Sequence, residues 1–145
     1  MNINALKITF AALAFFCTLS AAQERPVVNP YGKFLKGDGV EVEMAHFAEK
    51  NENDLYDVIL KTTGHQAFNE GIDGKALRYK ATHGGNGINY LHDGKVVLTL
   101  RQPYGDSWSR IQVYLNKKYI TLNEDDVKSK DVRPLHLLTE LQADK

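Results

Sequence analysis

The chain predicts a mostly β protein: a small antiparallel β-sandwich or open barrel with at most one or two short helices. Three observations carry this. Short runs rich in Val, Ile, Leu, Tyr and Thr recur at close spacing, several with the period-two alternation of a half-buried strand. Glycine- and asparagine-rich breaks separate them. One break, Asp93-Gly94, is a hairpin pair, because a type I′ turn needs positive φ at both central positions.

The N-terminus has a different character. Met1 to Lys7 carries one positive side chain, and Ile8 to Leu19 is almost unbroken apolar. Ser20, Ala21 and Ala22 follow, and their small side chains suit a signal peptidase. Residues 1–22 therefore read as a Sec-type signal peptide, cut before Gln23. The apolar run is too short for a membrane anchor, which needs about 20 residues. A lipobox is disfavoured because bulky Phe16 precedes Cys17.

Cleavage removes Lys7, taking the 18 basic side chains to 17 against 18 acidic ones. That near-neutral balance is unlike the basic footprint of a nucleic-acid binder. The only cysteine, Cys17, leaves with the signal. Thiol catalysis and zinc-thiolate sites are thereby excluded for the mature chain. Residues 23–30 read as an extended leader, and 31–145 as a single β-rich domain in the periplasm.

Within that domain, Val40 to Phe47 alternates as a strand, and Tyr56 to Thr63 suits a more buried one. Gly64 to Gly74 reads as a loop before a strand at Lys75 to Thr82. Gly84 to Gly87 reads as the most flexible stretch. Ile88 to Leu91 and Lys95 to Gln102 flank the Asp-Gly turn. Trp108 to Leu115 and Lys118 to Leu122 pair around Asn116-Lys117. Asn123 to Lys130 suggests a helical turn capped by Asn123, with Asp125 and Asp126 near its positive end. Val132 to Leu141 is ambiguous: Pro134 can open a helix, but Leu135, Leu137, Thr139 and Leu141 alternate, and the balance tips to a strand.

Chemistry-bearing motifs are sparse. His46, His65, His83, His92 and His136 form no H-E-x-x-H or other paired spacing; only His83 and His92 invite a metal pair across the glycine loop, and isolated turn histidines are the plainer reading. His46 reads as a sheet-face residue. Ser107, Ser109 and Ser129 lie in no G-x-S-x-G elbow. The consecutive Glu124, Asp125 and Asp126 read as solvated, whereas a general acid needs a desolvated carboxyl. Asn51, Asn53 and Asp54 miss a calcium loop because Leu55 takes a ligand position. Gly84 to Gly87 lacks the lysine and hydroxyl of a phosphate loop. No catalytic residue, metal or cofactor is assigned.

The loops are more informative. His83, Asn86 and Asn89 surround the glycine stretch, and Tyr104 and Asp106 occupy Pro103 to Ser107. Aromatic and polar side chains on β-loops supply contact area to a protein partner at low entropic cost. With Glu124, Asp125 and Asp126, these are the candidate partner-binding residues. Trp108 is assigned to the core.

A leader of this kind, a cysteine-free β domain, neutral charge and the stretch GDSWSRIQVYLNKKYITL (105–122) together resemble periplasmic inhibitors of cell-wall hydrolases. The chain is most similar to immunity proteins paired with type VI secretion effectors that cut peptidoglycan. The resemblance implies a non-enzymatic protein whose partner is a peptidoglycan hydrolase, blocked by loops placed in its cleft. It implies no nucleic acid, and no membrane after signal cleavage. The rival readings are a periplasmic small-ligand or metal carrier and a small secreted hydrolase.

Overall fold

The computed structural model describes residues 25–64, 73–85, 87–101, 110–115 and 118–144. The expected signal segment lies outside them. Among the described residues, no helix is long and apolar enough to cross a membrane.

The chain is an antiparallel meander. Its strands are β1 (Val28–Gly37), β2 (Val40–Lys50), β3 (Tyr56–Thr63), β4 (Ala76–Gly84), β5 (Gly87–His92), β6 (Lys95–Arg101), β7 (Arg110–Leu115) and β8 (Lys118–Glu124). Each pairs with the next, and β8 returns to β1. The mostly β antiparallel fold is thus present, in its barrel form. Among the described residues, only two short helices follow, α1 (Asp126–Ser129) and α2 (Pro134–Ala143).

Two hairpins follow directly from Asp-Gly pairs. Asp93 and Gly94 both have positive φ, as a type I′ turn requires. Asp38 and Gly39 do the same between β1 and β2. The β4–β5 connection is also tight, since Gly84 pairs with Gly87 in the ladder. The stretch read as most flexible is therefore largely a hairpin tip.

The closing seam is short. Only Leu35↔Glu124 and Lys36↔Asn123 join β1 to β8, so the last residue of β8 meets the far half of β1, as strand stagger in a barrel requires. At Phe34 the role of β8 passes to the residues around α1. The Phe34 N–H donates to Ser129 Oγ at 2.9 Å, and its carbonyl accepts the Asp125 N–H at 2.9 Å. The backbone groups that β8 leaves unpaired are thus satisfied at this point.

Alternation sorts the apolar residues into two cores. Leu35, Val42, Met44, Val58, Leu60, Tyr79, Ala81, Tyr90, Leu98 and Leu122 fill the barrel. Phe34, Ala45, Phe47, Ile59 and Ala76 face outward, against Val132, Leu137 and Leu138. The helix α2 therefore lies on the outer wall of β1 to β4. Gly32 admits this approach, because a Cβ there would collide with Val132.

Three readings change. Val132 to Leu141 is not a strand: Pro134 is the first residue of α2, and Leu137 and Leu138 bury one helical face. Alternating leucines misled because Leu135 is exposed. The cap of α1 is Asp125, whose carboxylate accepts the Lys128 N–H, and not Asn123, which is still in β8. The leader ends sooner than expected, since Val28, Asn29 and Pro30 already belong to β1. The Pro30 bond falls where the β1–β2 register shifts between Val28 and Gly32, a bulge that tolerates a missing N–H.

Candidate functional site

Antiparallel alternation puts the β2–β3, β4–β5 and β6–β7 connections at one end of the barrel. Two of them touch. His83 Nε2, at the end of β4, lies 3.0 Å from the Asn53 carbonyl in the β2–β3 turn. That turn is itself ordered by Asn51, whose Oδ1 accepts the N–H groups of Asn53 and Leu55. Asn53 Nδ2 then donates to the Ala81 carbonyl at 3.2 Å. Strands β6 and β7 end and begin at the same end, at Arg101 and Arg110, flanking 102–109.

Of the expected binding residues, Asn86, Tyr104 and Asp106 lie outside the described residues, as do His65 and Trp108. His83 is exposed at the barrel end. Asn89 is in β5, where its Oδ1 accepts from Thr99 Oγ1 at 2.8 Å and its amide lies over Gly84. Glu124 and Asp125 hold elements together. Lys33 Nζ donates to Glu124 at 3.1 Å, and Lys36 Nζ to Asp125 at 2.7 Å. The Lys36 ammonium, with the Lys128 N–H, keeps the Asp125 carboxyl below its ordinary value. Glu124 is 16% exposed and Asp126 is exposed, so the triplet is not uniformly solvated.

His83 and His92 do not come together. His83 pairs with Ile88 near one end of the β4–β5 ladder, and His92 pairs with Lys95 beside the Asp93-Gly94 turn. His92 Nδ1 is 3.2 Å from the Arg78 carbonyl. No group of three or more metal-ligating side chains occurs among the described residues. His46 lies in β2, half-buried; burial, then the Lys33 charge, push its pKa down.

The most developed polar arrangement was not legible beforehand. Asp57, in β3, is only 5% exposed. Its Oδ1 accepts from Asn51 Nδ2 at 2.7 Å and from the Ala81 N–H at 3.0 Å. Its Oδ2 accepts Arg78 Nη2 at 2.8 Å and Nε at 3.3 Å. Burial alone would raise the Asp57 carboxyl, but the hydrogen bonds from Arg78, Ala81 and Asn51 outweigh it and hold the value below the ordinary one. Arg78 in turn lies 4.4 Å from the Phe47 ring centre, a cation–π distance. One edge of the guanidinium is held by a carboxylate and its position is set by a ring.

This arrangement walls a cavity of about 610 Å³ on the barrel's outer surface. Arg25, Pro26 and Val27 complete it from the chain before β1, and Glu49 and Lys50 from the end of β2. The Ala48 N–H donates to the Val27 carbonyl at 2.8 Å, which fixes that preceding segment against β2. The one available sequence clue was an aspartate heading an apolar strand, Tyr56-Asp57-Val58-Ile59, since Asp is depleted in strands.

Compared with known proteins, the chain matches no family model, no curated protein and no solved structure.

Proposed function

We propose that the chain is an exported periplasmic protein that binds a cell-wall-degrading enzyme and occludes its cleft, as an immunity protein or inhibitor. It does so without chemistry of its own. The observation that supports this is the shared barrel end. His83, a proposed contact, rests on Asn53 of the β2–β3 turn, and β6 ends and β7 begins at that same end of the barrel. Side chains held on a rigid β scaffold lose little entropy on binding, which suits a blocking surface. The surface is narrower than the sequence suggested. His83, Asn86, Tyr104 and Asp106 remain the proposed contacts, whereas Glu124 and Asp125 serve internal ion pairs.

The test is inhibition. The purified protein is mixed with a muramidase, a glucosaminidase and an amidase, each clearing a peptidoglycan suspension. Stoichiometric loss of clearing is expected for one of the three, and loss of that inhibition in His83→Ala or Tyr104→Ala with the fold intact. No inhibition of any class overturns the reading. The N-terminus of the exported form is expected at Gln23 by mass spectrometry, and an intact Met1 form in membranes overturns the export assignment.

A further inference from the structure

We propose that the cavity beside Arg78 is a binding site for a small ligand bearing a single carboxylate and an apolar body. The proposal does not rest on the occlusion reading, which concerns the barrel end.

The first argument is preorganisation. A guanidinium free in solvent must be ordered before it grips an anion with two parallel N–H groups. Arg78 is already ordered. Its Nε and Nη2 are spent on Asp57, and Phe47 lies 4.4 Å from its carbon. Asp57 is itself held by Asn51 and the Ala81 N–H, so the support is rooted in the sheet. Yet the Arg78 side chain remains 54% exposed. A buried acid that fixes a half-exposed arginine beside a cavity presents the remaining guanidinium donors to whatever fills it.

The second argument is charge. Arg25, Lys50 and Arg78 line the cavity with Glu49 and Asp57, and two of the three cations are already paired. Lys50 donates to Asp54 at 2.9 Å, and Arg78 is paired with Asp57. Arg25 has no ion-pair partner among the described residues. One carboxylate can bridge Arg25 and the open edge of Arg78, whereas a second would meet Glu49.

The third argument is shape and lining. A volume of about 610 Å³ is within the range of small-ligand sites. Pro26, Val27 and Phe47 give one apolar side, and Val27 is 64% exposed. An apolar body lies there while its carboxylate reaches Arg78 and Arg25.

The test uses protein produced from the complete sequence, in the form the cell exports, labelled with nitrogen-15. The probes are N-acetylphenylalanine and its carboxamide, which differ in the carboxylate alone. The acid is expected to shift the amides of Phe47, Asn51, Asp57 and Arg78 saturably, and the carboxamide to shift them little. Arg25→Gln, which breaks no ion pair among the described residues, is expected to weaken binding about threefold to tenfold, the loss of one screened charge contact. Glu49→Gln is expected to tighten it. Arg78→Lys is expected to weaken it at least tenfold, read beside circular dichroism because Asp57 loses its fork. Equal shifts from acid and carboxamide, no saturable shift, or binding untouched by both Arg25→Gln and Glu49→Gln would each overturn the proposal.

Discussion

Asp57 shows how much one side chain can decide. Its carboxylate takes the Ala81 N–H and the Arg78 fork at once, so it joins β3 to β4 beyond their last ladder pair, Val58↔Tyr79. Replacing it by Ala leaves these donors without their acceptor, and a loss of about 2 kcal/mol is expected in denaturant unfolding, moderated because Arg78 reaches solvent. The pH dependence has a definite sign. The folded carboxyl titrates below its unfolded value near 3.8, so its stabilisation is complete above that value and is lost as pH falls through the lower, folded value. Asp57→Asn is therefore expected to flatten the acid limb of stability below about pH 4. Tyr79 is the opposite case. Its hydroxyl is buried in the barrel with no hydrogen-bond partner among the described residues, and burial pushes its pKa up to about 12. Tyr79→Phe removes an unsatisfied polar group and keeps the ring, so a gain of roughly 1 kcal/mol is expected by the same measurement. Neither role was readable in the sequence. Both depend on which neighbour a strand register supplies, and register is a long-range property.

Among the elements, β2 to β8 were legible, and β1 and the C-terminal helix were not. Alternation and Asp-Gly pairs are local physics, so β2 to β8 appear near their expected positions. The segment after Val132 has an apolar pattern that fits either period over ten residues, and only its burial against the outer wall of β1 to β4 separates them. Lys61 settles the helix's position by donating to both Glu140 carboxylate oxygens at 2.9 Å. Leu137, 2% exposed, is its deepest side chain. Leu137→Ala is expected to cost about 2–4 kcal/mol in equilibrium unfolding, whereas Leu135→Ala, on the solvent face, is expected to change stability by under about 0.5 kcal/mol. Equal costs would mean that α2 is packed on a different face. Strand β1 was missed for a related reason. Its Asn29-Pro30-Tyr31 bulge has no alternation, and Tyr31 is 82% exposed.

For the molecule as a whole, the proposed contacts on the barrel-end loops come from composition alone, whereas the Asp57–Arg78 cavity was not legible because it needs four separated segments to meet. Closure is the most delicate property at this scale. A Cβ on Gly37 would collide with the Thr121 carbonyl across the β1–β8 seam. Gly37→Ala is expected to force the seam apart, and hydrogen exchange should rise at the amides of Leu35, Lys36, Asn123 and Glu124 while the β2–β3 ladder stays protected. Uniform protection would show that the seam relaxes without opening. The seam also sets a timetable. Phe34 and Lys36 find Ser129 and Asp125 at separations of 95 and 89 residues, so the first strand to leave the ribosome is completed by some of the last residues to follow. Loop closure over such spans is slow. Until residues 123–129 have emerged, one edge of β1 has no partner, and the nascent chain stays an open sheet whose only covered side of β1 is the one that β2 lines.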